Sequence, residues 1–556
     1  MTRHIRWQIL LIFVGLLLVG ILLTYLAFNY TTVLRPGQGG TYVEGIVGIP
    51  RTLNPLLAKT QVERDLCSLI FNGLTRLNAD GEVEGQLARE WEATIDGLSY
   101  TFHLRSNAFW HDGTPVTADD VIFTISLIQD PRFPGSPTLH SLWSTVEVEK
   151  VDRRTVAFTL SEPYAPFLDY TTFGILPEHL LEGVDAADLP LTPFNMSPIG
   201  SGPFVFEELR GEEGVIESAI LSQNSRYYEG RTYIERIQFR FYPDYESLMT
   251  AYSEGEVEGL AEVPTGDLDT ARAFPELDLY SAPIAEYDTV LLNLDDPGLP
   301  FFQEPEVRQA LMYGMDRERI IQDVLSGQAI VAHSPILPGT WAHSDEIAKY
   351  EHDVEEAREL LDEIGWTYVG PEGVRGQDGS FLEFELLTWD DPQRLAMAEA
   401  LASQWSMVGV EATVRGVSVD ELHSALVGRD FDAALVRMSV PGDPDPYPFW
   451  HQEQIDDGQN YAGLDHRRIS ELTELARITL RRERRKSLYA EFQQIFTEEV
   501  PALPLTIPIY TYGVDERVHD VQIGPLARPS DRFKTISDWW IVPKRVFVSD
   551  EEARLP

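Results

Sequence analysis

One cysteine, Cys67, serves 556 residues, which excludes an internal disulfide and any thiolate metal cluster. A lone thiol of this kind reads as a small buried hydrophobe. Basic residues are scarce as well: 44 Lys and Arg stand against 89 Asp and Glu, for a formal charge of -45. Nucleic-acid binding needs a clustered basic surface that releases counterions, so a phosphate-backbone partner is excluded. Catalytic signatures are missing too. Gly200-Ser201-Gly202 lacks the spacing of a nucleophile elbow, no glycine-rich phosphate loop ends in Lys-Ser or Lys-Thr, and no His-Glu-x-x-His occurs. Asp443-Pro444-Asp445 fails as a calcium loop, because Tyr447 and Pro448 stand where a ligand and a glycine belong. His103, His111 and Asp112 are close in sequence, but His103 lies on the polar face of a strand pattern and His111-Asp112-Gly113 is a turn. The chain is therefore read as a non-enzyme without metal or other cofactor.

Long apolar runs are confined to one place. Residues 7–34 carry no charge, and 9–23 consist of Leu, Ile, Val, Phe and Gly, enough for a helix that spans a bilayer. Arg3 and Arg6 precede the run and no dense basic cluster follows it, which places the N-terminus in the cytoplasm and the body outside. No small-x-small site stands in 25–32 and no cysteine follows closely, so residues 1–34 read as an uncleaved single-pass anchor rather than a signal peptide or a lipoprotein. Residues 35–40, with Pro36, Gly37, Gly39 and Gly40, read as a linker.

The remaining length exceeds what one core serves, and 43% hydrophobic with 24% charged residues is the composition of a folded globular chain. Strand-like and helix-like patterns interleave without a repeat, which predicts α/β lobes. Tyr100, Phe102 and Leu104 alternate with polar residues as in a half-buried strand. Thr117 with Asp120, and Asp353 with Glu356, have capping-box spacing, and Gly365 stands where the second helix closes. A further helix is expected around Val307, Leu311 and Met315, with Asp316 capping the next.

Several strings then carry a resemblance. Leu-Ala-Arg-Glu-Trp-Glu at 87–92 is followed by Asp96-Gly97, by Tyr-Thr-Phe-His-Leu-Arg at 100–105, by Trp-His-Asp-Gly-Thr-Pro at 110–115 and by Thr-Ala-Asp-Asp-Val at 117–121. Pro-Ile-Gly-Ser-Gly-Pro-Phe at 198–204, Val-Arg-Gln-Ala-Leu at 307–311 and Met-Asp-Arg at 315–317 come next. Ala-Arg-Glu-Leu-Leu at 357–361 with Gly365-Trp366, Gly-Asp-Pro-Asp-Pro at 442–446 and Asn-Tyr-Ala-Gly at 460–463 complete the order. From about residue 40 to about 542 the chain resembles the family 5 extracellular solute-binding proteins, the oligopeptide-, dipeptide- and nickel-binding components of ATP-binding cassette importers.

That resemblance implies a two-lobed periplasmic-binding-protein-like α/β fold with an extra inserted domain, preceded here by one transmembrane helix. By the same resemblance 40–75, 196–290 and 505–545 form a discontinuous first lobe, 76–195 the insertion, 291–504 the second lobe and 546–556 a tail. It implies a peptide or similar small solute as ligand, permease subunits as partners, a monomer, and a place on the outer face of the cytoplasmic membrane. In peptide-binding relatives an aspartate of the segment matching 442–446 pairs with the peptide α-amino group, and here Asp443 and Asp445 compete for that role. Tyr447, Phe449, Trp450 and Tyr461 follow, so acid beside an aromatic wall suits an ammonium group. Asn460 and Trp389 complete the expected ligand-binding set. An oligosaccharide or metal-chelate receptor, for which Trp450 and Trp389 would stack, and a membrane-tethered sensor remain the alternatives.

Overall fold

In the computed structural model the structure describes residues 2–78, 81–212, 214–370, 373–440 and 442–547. Two large apolar cores hold the body. One gathers side chains from Tyr42 through Ile284 and again from Tyr510 through Trp539. The other runs from Tyr287 through Ile507. Each contains dozens of buried Leu, Ile, Val and Phe side chains, and full burial of one such side chain is worth about 1.5–3 kcal/mol. A small satellite core around Leu248 and Leu260 flanks the first.

One 12-stranded mixed sheet passes through both cores. Its spine is the strand Ala502–Asp515, apolar and buried almost throughout, as a strand covered on both faces must be. The first part of this strand pairs with Glu286–Leu292 and with Ala329–Val331 in the second core. Its last part pairs with Leu277–Pro283 and Gly259–Leu260 in the first. Proline cannot donate to a ladder, and the two prolines of the spine sit at a register shift and at a ladder's end: Pro504 lies opposite Thr289 at the shift, and Pro508 is the last residue paired with Ala329–Val331, where the chain leaves one core for the other. Among the described residues the chain thus passes between cores at 284–287 and 507–510, and those two passages are neighbours in the sheet.

Local elements follow the sequence patterns. Ser99–Leu104 is a strand with alternating burial inside a four-stranded antiparallel sheet. Thr117 and Asp120 form a capping box on Ala118–Gln129, and Asp353 caps Val354–Glu363 by accepting from the Glu355 and Glu356 N–H groups. Asp316 caps Arg317–Asp323 in the same manner.

The expected linker is a correction. Residues 35–37 belong to the strand Thr32–Gly37, which pairs antiparallel with Val542–Phe547, so linker character is left only to 38–40, where Gly39 and Gly40 take positive φ. Residues 546 and 547, expected in the tail, are in the partner strand; 548–556 lie outside the described residues. The N-terminal residues Thr2–Thr31 form one helix. Side chains of 1–6, 9 and 26–33 lie outside the described set, and among the described residues no helix is long and apolar enough to cross a membrane.

Candidate functional site

The most family-specific strings build the scaffold before they build any site. His111 accepts the Gly200 N–H at Nδ1 and faces the Gly202 carbonyl with Nε2 at 3.1 Å, so the ring serves as a neutral staple. Burial pushes its pKa down to about 4. A side chain at Gly200 or Gly202 would run into the Ile70 and Leu69 carbonyls at the end of the helix Gln61–Ile70. Arg308 spends its guanidinium on the Phe302, Glu499 and Val500 carbonyls, and Arg317 on those of Ala332, Pro504 and Tyr350. None of these groups is left for a ligand.

Where the spine crosses between cores, two three-body charge clusters flank it. On the first core's side Arg532 donates to Glu44 Oε1 at 2.9 Å and to Asp65 Oδ2 at 2.5 Å, and all three are 0% exposed. Tyr42 and Tyr512 add hydrogen bonds to Glu44. Burial raises the pKa of both acids, against the opposing pull of Arg532. On the second core's side the signs are reversed. Asp288, fully buried, accepts from Arg394 at 2.6 Å, from Arg437 at 2.9 and 3.2 Å and from Thr506 at 2.8 Å. Burial alone would raise its pKa, but Arg394 and Arg437 outweigh it and hold the carboxyl below its usual range.

The second cluster opens outward. Arg437 remains 32% exposed and lies 3.7 Å from Glu286, and the Arg394 guanidinium stacks 4.3 Å over the Trp389 ring. Opposite them Glu262, on the first core's side, accepts from the Tyr245 hydroxyl at 3.2 Å. Its carboxylate reaches solvent, yet surrounding protein raises its pKa by desolvation, with Arg532 and Arg437 among the charges it feels. Acid and base from the two cores therefore act on each other here across the hinge strands. Sequence reasoning missed Glu262, Glu286, Asp288, Arg394 and Arg437, because their partners are distant in the chain and no spacing marks them.

The residues picked from sequence divide. Trp389 lies under the Arg394 guanidinium, half-buried at the end of the strand Glu383–Trp389. Asp443 is held by both Arg485 Nη atoms at 2.5 and 2.6 Å, and Asp445 by Arg477 at 2.6 Å. Tyr447 lies under the Arg477 guanidinium at 3.8 Å and donates to Glu453. Two of the expected contacts are corrected. Trp450 is buried in the second core against Phe496, and Asn460 is fully buried with its amide bonding the His451 and Leu464 carbonyls. A polar or aromatic residue next to a candidate loop looks the same in sequence whether it packs inward or outward, and both of these pack inward. Cys67 is a buried free thiol, and among the described residues no group of His, Cys, Asp and Glu could hold a metal ion.

Known proteins share this architecture. Residues 82–459 match the model of the bacterial extracellular solute-binding proteins, family 5. The oligopeptide-binding protein AppA of Bacillus subtilis is 30% identical over 91% of this chain and 92% of its own. Its structure with a nonapeptide superposes with a TM-score of 0.71 over 91% of this chain and 100% of that one, at 28% identity. The dipeptide-binding protein of Escherichia coli is 26% identical over 92% of this chain and 97% of its own. NikZ of Campylobacter jejuni, solved with Ni(L-His), is 26% identical with a TM-score of 0.73, covering 90% of this chain and 99% of that one.

Proposed function

The chain belongs to the family 5 bacterial extracellular solute-binding proteins, and from this we propose that it captures peptides outside the cytoplasm for an ATP-binding cassette importer. It is the substrate-binding component and hands its ligand to permease subunits. The observation that carries the reading is the paired crossing at 284–287 and 507–510, a hinge with acid and base on the facing walls beside it. Two neighbouring strands between rigid cores are what ligand-driven closure needs. The resemblance assigns 40–75, 196–290 and 505–545 to the first lobe, 76–195 to the insertion and 291–504 to the second lobe, and the division of the cores moves the two lobe borders to 284–287 and 507–510.

Peptide backbone is held by strand-like hydrogen bonding, so side-chain identity is weakly read. Asp443 or Asp445 receives the ligand ammonium. An ionised carboxylate has about four acceptor positions, so each aspartate retains capacity beyond its arginine. Trp389, Arg437 and Glu262 line the cleft floor. Within the expected anchor 1–34, the helical residues 7–31 span the membrane once, supported by the charge-free run after Arg3 and Arg6; retention in the membrane fraction through a high-salt wash tests this.

Native mass spectrometry of the purified protein is expected to reveal co-purified peptide, recovered uncleaved. Calorimetry should find an N-acetylated peptide weaker than its free form by roughly thirtyfold or more, the cost of losing one partner of a desolvated charge pair. Equal affinities would remove the amine-reading site, and the Ni(L-His) chelate bound by NikZ would become the better guide to the ligand.

A further inference from the structure

The two cores meet again away from the hinge strands. Arg482 pairs with Glu82 at 2.5 Å, the Arg477 guanidinium lies 5.4 Å over the Tyr164 ring, and Leu480 rests on Gly97. At the centre the turn Ala165–Thr171 presses Asp169 onto the 442–446 loop. Gly442 has φ +84, and a Cβ there would lie 2.7 Å from Asp169 Oδ1, so the loop accepts the carboxylate only because it has no side chain. Asp443 and Asp445 each have an arginine. Among the described residues no cation pairs with Asp169. Three carboxylates thus share two guanidiniums, and the acid left over belongs to the other core.

We propose that this contact is a proton-operated latch: protonated Asp169 lets the turn seat on Gly442 and Asp443 and holds the lobes closed, and its ionisation loosens them. The inference rests on the hinged-closure reading above. Burial, and next the Asp443 carboxylate, push the Asp169 pKa up to about 7, against the opposing pull of Arg485 and of the Asp443 backbone N–H. The other titratable and charged groups around it are Asp445 from the loop, Arg477, Arg485 and Tyr489 from the two helices behind it, and Tyr164 and Tyr170 from its own turn. None is a histidine or cysteine. A carboxyl with a raised pKa in the closed form binds a proton on closing, so closure is favoured as pH falls through about 7 and is lost above it. With an ordinary carboxyl in the open form, the closed-to-open ratio should fall roughly thirtyfold between pH 5.5 and pH 8.

The test is a distance distribution between spin labels on cysteines introduced at exposed Glu149 and Glu483, on the full-length protein stripped of ligand; buried Cys67 stays unlabelled. The closed population should dominate more at pH 5.5 than at pH 8, and Asp169→Asn should close the protein equally at both. Asp169→Ser, which removes the carboxylate with a smaller side chain, should likewise abolish the pH dependence. A wild-type distribution that ignores pH, or variants that keep the wild-type dependence, would overturn the latch. So would the opposite sign, closure strengthening as pH rises. If added peptide leaves the distance unchanged at both pH values, hinged closure itself falls and the latch with it.

Discussion

The two charge clusters beside the hinge are near mirror images in sign, and they behave differently because of what each surplus charge can do. Arg532 between Glu44 and Asp65 carries one acid too many; Asp288 between Arg394 and Arg437 carries one base too many. Surplus acid can be relieved by a proton, so the first cluster can be sealed completely, and it is. A guanidinium cannot deprotonate in a protein, so the second cluster keeps one arm, Arg437, in solvent. The sealed cluster ties the strand Thr41–Val47 and the helix Gln61–Ile70 to the C-terminal turn Pro529–Thr535.

The largest effect should come from removing the centre of the second cluster. Asp288→Asn leaves the buried Arg394 guanidinium without its anion and Arg437 with only Glu286 at 3.7 Å, and breaking such a buried pair costs about 3–5 kcal/mol. The urea midpoint should fall sharply and stay low from pH 8 to pH 5, since no proton repairs it. Arg532→Met should cost less. It strands Glu44 and Asp65, whose raised pKa values mean that they accept protons as pH falls. The variant's deficit should therefore shrink from pH 8 to pH 5, while that of Asp288→Asn does not. Equal deficits with equal pH profiles would dissolve the distinction between the clusters.

This difference also explains what could be read from the sequence. Caps, the 99–104 strand and the family strings depend on neighbours in the chain, so Thr117, Asp353 and Asp316 do locally what their spacing implies. The motif residues His111, Arg308, Arg317 and Asn460 are fixed because each satisfies several backbone groups at once, which is architecture rather than recognition. Asp288 meets Arg394 and Arg437 across gaps of 106 and 149 residues, and Glu44 meets Arg532 across 488. No periodicity encodes pairs that only the sheet's topology creates. Asp443 and Asp445 are visible as a pair of acids among prolines, but the arginines that hold them lie 42 and 32 residues further on.

A smaller effect is expected at the open arm, and it separates stability from binding. Arg437→Gln removes two hydrogen bonds from Asp288 but leaves Arg394 at 2.6 Å and Thr506 at 2.8 Å. A third of the Arg437 side chain is in solvent, so screening discounts its contribution to about 1 kcal/mol. The Asp288 carboxyl is held below its usual range partly by this arginine. A carboxylate with a lowered pKa stabilises the fold above its unfolded pKa, and that stability is lost as pH falls through the folded value. Wild type and Arg437→Gln should therefore differ in urea midpoint at pH 7 and converge as pH falls through the lowered folded-state value of Asp288. If Arg437 also reaches the ligand from the cleft floor, peptide affinity at pH 7 should fall about tenfold, equivalent to about 1.4 kcal/mol. A midpoint loss as large as that of Asp288→Asn would make Arg437 a sealed structural member like Arg532, and unchanged peptide affinity would remove it from the cleft.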